Sequence, residues 1–329
     1  MADPGPVHPT PGGLTPALPP PAGGPGPSSG PAEELVEFGV AVRSQWRLVL
    51  GRFLRHRLAV ASLVVLFLLV VIAFLGETLS GYDYGRPSAD ATGSSLAPST
   101  DHWFGTDAIG IDVFAQVQRG AQRSIEVALL VALFSTSLGA LVGSVAGYYR
   151  GFIDAALMRV TDLFLTIPTL AVLLVVANRY RGSQANWLVL VFVISGLAWM
   201  PLARLVRGVA LSLREREFVE AARAVGASDA RIIFRHILPN CLGPIIVNGT
   251  LVVAGAILTE TALSYLGFGI QPPDVSLGSL IGSGVPAANT RWWLFYPPGL
   301  FLLLFCLAVN FVGDGLRDAF DPQQSRVRA

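Results

Sequence analysis

Six apolar runs govern what this chain can become. They lie near Leu58–Leu79, Ser124–Tyr149, Ala155–Ala177, Trp187–Leu205, Cys241–Leu266 and Trp293–Val312. At about 1.5 Å of rise per residue, each can cross roughly 30 Å of hydrocarbon as a helix. In lipid the backbone must satisfy its own hydrogen bonds, so such runs fold as helices. The expected fold is all-α: a polytopic membrane bundle of six transmembrane helices. Composition agrees, with 52% of the 329 residues hydrophobic and 14% charged. A net charge of +1 gives no electrostatic reason to expect nucleic acid.

Arginine orients the bundle. All 23 Lys+Arg residues are arginine. Most of them gather in the amino-terminal approach, the 150–159 turn, the 204–235 loop and the 317–328 tail. Six crossings bring these four segments to one side, which is then the cytoplasm, together with both termini. Segments 80–123, 178–186 and 267–292 lie opposite, with Arg179 and Arg181 among the exceptions. The expected localisation is a cell membrane, crossed six times.

The layout divides further. Residues 1–32 are Pro, Gly, Ala and Ser with little charge, too poor in apolar content to offset chain entropy, so a disordered cytoplasmic tail is expected. It lacks the basic start and apolar core of a signal peptide. Over 33–57, Val36, Val40, Trp46, Leu50 and Leu54 interleave with Arg43, Arg47, Arg52, Arg55 and Arg57. That pattern predicts an interfacial helix lying on membrane lipid. The first transmembrane helix and an extracytoplasmic loop occupy 58–123, a five-helix core 124–316, and a cytoplasmic tail 317–329.

Catalysis finds no support. A chain without lysine cannot carry a Walker A loop, so any ATP and Mg²⁺ must be bound by another chain. Cys241 and Cys306 fall in apolar spans and read as small buried hydrophobes. The four histidines have no metal spacing. No cofactor is expected here.

Between the fourth and fifth spans, Arg204–Arg235 holds seven arginines, three glutamates and one aspartate. Ser212-Leu213-Arg214-Glu215 fits a capping box, although Ser212 also fits a helix continuing from upstream. Phe218, Ala221, Ala222 and Val225 follow at helical spacing, with Arg216 and Glu220 as an i,i+4 pair. Gly226 suits a left-handed helix end. Ser228 can cap a second helix with Ile232, Ile233 and Ile237 on one side and Arg231 and Arg235 on the other. Pro239 opens the next run. The product is a bent knuckle with an apolar and a charged face.

Glu220-Ala221-Ala222, Gly226 and Leu238-Pro239 resemble the EAA motif of permease subunits of bacterial ABC importers, with His236 replacing a usual aliphatic residue. The resemblance covers roughly 45 to 322. His102-Trp103-Phe104-Gly105-Thr106-Asp107, Gly110, Asp112-Val113-Phe114, Ala146-Gly147-Tyr148-Tyr149 and Leu213–Phe218 are similar to the C-type permeases of dipeptide/oligopeptide importers. So are Gly267–Pro273, Gly315–Asp318 and Asp321-Pro322. Ile111 stands where that group usually has arginine. The resemblance implies a type I ABC importer permease fold paired with a second permease subunit. One or two cytoplasmic ABC ATPase subunits and an extracytoplasmic substrate-binding protein are implied as well. It also implies import of short peptides, while close relatives handle nickel chelates, glutathione or haem. In that reading Arg216, Glu220, Ala221, Ala222, Arg223, Gly226, Asp229, Leu238 and Pro239 couple the bundle to the ATPase. The glycine permits the turn, the alanines admit the partner, and the charged residues set register.

Polar residues in the spans are candidates for the translocation path: Asp162, Asn248, Glu260, Thr261 and Asn310. Glu260 sits near the outer end, where a hydrated ion pair competes with a path role. A proton-coupled secondary transporter, with Asp162 and Glu260 as relay carboxylates, is the rival, but no inverted repeat supports it. A pore-less membrane subunit is a further rival. Gly139, Gly143 and Gly147 form a tandem GxxxG that admits a close helix, internal or from a partner. Pro168 and Pro201 predict bends in the third and fourth spans.

Overall fold

The computed structural model describes residues 45–180 and 186–321. The expected tail over 1–32, residues 33–44 of the interfacial helix, Arg181 and residues 322–329 lie outside them. The described residues are helical throughout apart from turns, loops and one isolated bridge between Thr106 and Asp112. In chain order the helices are α1 (Gln45–Phe53), α2 (Arg57–Ser80), α3 (Val113–Tyr149), α4 (Gly151–Leu165), α5 (Thr169–Arg179) and α6 (Asn186–Ala198). Then come α7 (Met200–Leu213), α8 (Glu217–Ala224), α9 (Asp229–Ile232), α10 (Leu242–Tyr265), α11 (Leu277–Gly284) and α12 (Tyr296–Phe320).

Four helical stretches are long and apolar enough to span a membrane: α2, α3, Asp229–Tyr265 and Trp292–Phe320. Two further spans are broken. α4 and α5 meet at 73°, and α6 and α7 at 41°, giving six if each bent pair counts once. The breaks fall where proline removes a helical donor: Pro168 caps α5, and Pro201 sits in the first turn of α7.

α3 is the axis. It begins well before its apolar run because Asp112 caps it, Oδ1 accepting from the Ala115 N–H at 2.8 Å. The choice left open for its glycine seam is resolved: the approaching helix is internal. A Cβ on Gly139 would stand 2.7 Å from the Trp199 carbonyl, and one on Gly143 2.4 Å from that of Ala203. Gly147 meets Ala210 in the same way, so α7 lies along this groove. On other sides α3 buries Val117, Ala121, Val127, Ala128 and Val131 in the main apolar core with Leu190, Ile194, Ile257 and Phe305.

At the start of the described chain, α1 is fastened rather than loose. Phe53 packs on Ala59 and beside Gly315, whose missing Cβ would lie 2.2 Å from Ala59. The Arg52 guanidinium donates to the Ala319 and Asp321 carbonyls at 3.4 and 3.3 Å, closing the end of α12. Leu48, Leu50 and Leu54 remain exposed.

Candidate functional site

The loop between the fourth and fifth spans folds into a knuckle built on α8. Ser212 does not cap it. That residue lies within α7, its hydroxyl donating to the Val209 carbonyl at 2.8 Å, and α8 starts after Arg216 in an extended conformation. Glu217 and Glu220 in the first turn and Arg223 in the last match the helix dipole. The Arg216–Glu220 ion pair expected from spacing is not formed.

Gly226 ends the helix at φ +79°. The Ala227 N–H reaches the Ala222 carbonyl and the Gly226 N–H that of Arg223, both at 3.0 Å, which is a Schellman closure. A Cβ on Gly226 would meet open space, so backbone conformation alone requires the glycine.

The faces of α8 differ from the expected assignment. Val219 and Ala222 point inward, packing with Ile232, Ile233, Ile237, Leu202, Val206 and Tyr148. Phe218 (41%), Ala221 and Val225 (86%) point outward as a short apolar stripe. Ala222 therefore belongs to the knuckle's own core, and Ala221 to its surface. An eight-residue helix with two apolar stripes offers no periodicity that tells them apart.

Ser228 holds the cap position of α9, but its side chain makes no cap bond. Asp229 instead accepts from the Tyr148 hydroxyl at 2.6 Å, tying α9 to the end of α3. After α9 the helix widens to a π turn over Ile233–Ile237 and tightens to a 3₁₀ turn over Leu238–Cys241. Pro239 therefore tightens a continuing helix instead of opening a new one. Leu238 is half-buried and Pro239 exposed. His236 faces the Phe218 ring at 6.5 Å, so the imidazole fills a position beside the stripe.

Arginines sort by partner. Arg207 grips Asp154 on α4, Arg204 pairs with Asp162, Arg150 with Glu215, and Arg214 donates to the Tyr148 carbonyl at 2.6 Å. Arg216, Arg231 and Arg235, with Glu217 and Glu220, are exposed and form no ion pair among the described residues. Arg223 stands over the Tyr148 ring at 5.8 Å.

The candidate path residues are not brought together. Asp162 is half exposed on α4 and engaged by Arg204. Asn248 and Asn310 are half-buried on α10 and α12. Glu260 corrects the hydrated ion-pair expectation: it is fully buried, with Ser264 and Ser124 hydroxyls donating to it at 2.6 and 3.2 Å. The neighbouring Thr261 hydroxyl is buried without a partner.

At the end of the bundle opposite the knuckle, two further constellations went unread in the sequence. Asp274 takes both Arg119, at 2.8 Å, and Arg123, at 2.5 Å, with Arg123 stacked 4.4 Å over the Trp187 ring. The i,i+4 spacing of the two arginines was the available signal. His102, 1% exposed, places Nδ1 2.7 Å from Asp112 and Nε2 3.2 Å from Asp90. Burial would lower its pKa, but hydrogen bonds to the two carboxylates outweigh that and hold it above the ordinary histidine value. Asp112 thus has a partner although Ile111 supplies no arginine.

A glycine-seamed bundle of broken spans carrying an outward apolar stripe on a charged knuckle defines a multi-pass membrane permease architecture. Residues 139–326 match the family described as binding-protein-dependent transport system inner membrane component, and 44–98 match the N-terminal TM domain of oligopeptide transport permease C. The oligopeptide transport system permease protein OppC of Mycobacterium tuberculosis is 46% identical over 285 residues, 87% of this chain and 97% of that protein. OppC of Bacillus subtilis is 36% identical over 90% of this chain and 94% of its own length. The dipeptide transport system permease protein DppC of the same organism is 39% identical, covering 85% of each. The chain belongs to the family of inner membrane components of binding-protein-dependent transport systems, non-catalytic permease subunits of ABC transporters with a type I fold.

Proposed function

We propose that this chain forms half of the membrane path of an ATP-driven importer of short peptides and is moved by separate ATPase subunits docked on α8. The observation that carries the reading is the outward stripe of Phe218, Ala221 and Val225 beside unpaired Glu217, Glu220 and Arg216. Apolar groups ringed by free charges suit a protein partner, since contact removes them from water while the charges fix register. Tyr148–Asp229 and the Ile232/Ile233/Ile237 core tie the knuckle rigidly to α3 and α10, so a push on α8 reaches the spans.

The arginine-bearing end is the cytoplasmic one, with both termini there, in a bacterial inner membrane. ATP and Mg²⁺ bind on the ATPase subunits. A second permease subunit completes the path. The thin packing of α4 and α5, which bury only Thr161, Leu173 and Ala177, supports such a seat. A substrate-binding protein delivers cargo to the opposite end. Relatives named for oligopeptide and dipeptide transport support peptide cargo.

Uptake by the reconstituted assembly tests this. Gly226→Asp and Glu220→Lys are expected to abolish ATP-dependent peptide uptake while membrane levels stay at wild type. Normal uptake by both would overturn docking on α8. Uptake that survives ATP depletion but collapses with an uncoupler would favour the proton-driven alternative.

A further inference from the structure

Glu260 lies in the last turns of α10, fully buried, and neither of its oxygens meets a cation among the described residues. They accept from Ser124 on α3 and Ser264 on α10, and both serines bond in turn to the start of α11. That short apolar helix seats flush on two spans at glycines. A Cβ on Gly278 would stand 2.6 Å from the Thr261 Cα, and one on Gly120 3.0 Å from the Ser276 carbonyl carbon.

Helix starts leave N–H groups without helical partners. Here the Leu277 N–H donates to the Ser124 hydroxyl at 3.3 Å and the Ser279 N–H to the Ser276 hydroxyl at 3.1 Å. The Ser124 hydroxyl donates to Glu260 at 3.2 Å. Ser264 donates to the other carboxylate oxygen at 2.6 Å, which leaves Ser276 as donor in the 3.1 Å bond between the two hydroxyls. A hydroxyl has one proton, so both relays run from the start of α11 and end on one carboxylate, a group that accepts at both oxygens.

We propose that Glu260 is a positioning residue rather than a cargo contact: through two serine relays it holds α11 on α3 and α10. Glutamine offers one accepting oxygen in place of two and no charge, so one relay would have to reverse, with its serine hydroxyl turned to accept.

Hydrogen exchange on the full chain in lipid nanodiscs, without ATP or partners, tests the docking. Glu260→Gln and Ser264→Ala should each speed exchange over 275–285 by about tenfold or more, the factor expected for losing a hydrogen bond to a charged group. Exchange in α7 and α12 should not change. Unchanged exchange over 275–285 in both variants, or loosening spread through every span, would overturn the docking role.

Discussion

The two ends of the bundle treat their polar groups in opposite ways. At the knuckle, Glu217, Glu220, Arg216, Arg231 and Arg235 stand exposed, without ion pairs among the described residues, beside an outward apolar stripe. At the other end, His102, Asp112, Asp274, Arg119, Arg123 and Glu260 are drawn inward, each engaged by the chain itself. One end holds interactions in reserve, and the other uses them to fasten loops. Residues at the fastened end should therefore carry stability, and residues at the reserved end should carry association with little stability.

Asp274→Ala sharpens this contrast most. Removing it leaves the mostly buried Arg119 guanidinium without an ion pair and Arg123 with Glu126 alone, and about 3 kcal/mol of stability should be lost. Thermal unfolding in detergent measures it. An unchanged midpoint would mean that the clamp is as slack as a surface pair. Next comes His102→Ala, which leaves Oδ2 of the buried Asp112 without its donor while Oδ1 keeps the Ala115 N–H, and should cost about 2 kcal/mol by the same measurement.

The wild-type loop should also respond to pH. The His102 pKa is raised in the folded chain, so the stability it contributes is complete below the unfolded value of about 6.5 and fades as pH rises through the elevated folded value. Protection over 88–112, taken relative to the base-catalysed intrinsic rate at each pH, should fall across that rise and stay level in His102→Ala. A wild type whose protection grows instead would have the sign wrong.

Gly226→Ala forces a Cβ into the left-handed region at a cost of about 1 kcal/mol, local to the knuckle. Smallest in stability is Phe218→Ser with Val225→Ser, expected to leave the unfolding midpoint within about 0.5 kcal/mol of wild type because both are exposed. Binding of the proposed ATPase should nonetheless be lost. If that pair destabilises the fold and spares binding, the contrast between the ends fails.

Much of this was legible in the chain. The six runs, the bends at Pro168 and Pro201, the glycine groove and the left-handed Gly226 each follow from a local rule, so the sequence shows them without tertiary knowledge. The inward face of α8 was not legible, because Phe218/Ala221/Val225 and Val219/Ala222 are both helical stripes and only the position of Ile232 and Tyr148 selects between them. Glu260 was read as a polar residue near water. Its true surroundings come from Ser124, Ser264 and Ser276, on α3, on α10 and at the cap of α11, whose convergence no spacing reveals. The aspartates bound by Arg204 and Arg207 are likewise 42 and 53 positions away in sequence.

The central claim is that the knuckle is reserved for a separate ATP-hydrolysing chain. The most direct test is purification of the tagged full chain in a gentle detergent, with mass spectrometry of what accompanies it, beside Gly226→Asp. The account predicts a Walker-type ATPase and a second six-span chain with the wild type, and loss of the ATPase from a variant whose bundle remains folded. A wild type recovered alone that still moves solute in vesicles, or a Gly226→Asp variant that retains the ATPase in full, would contradict it.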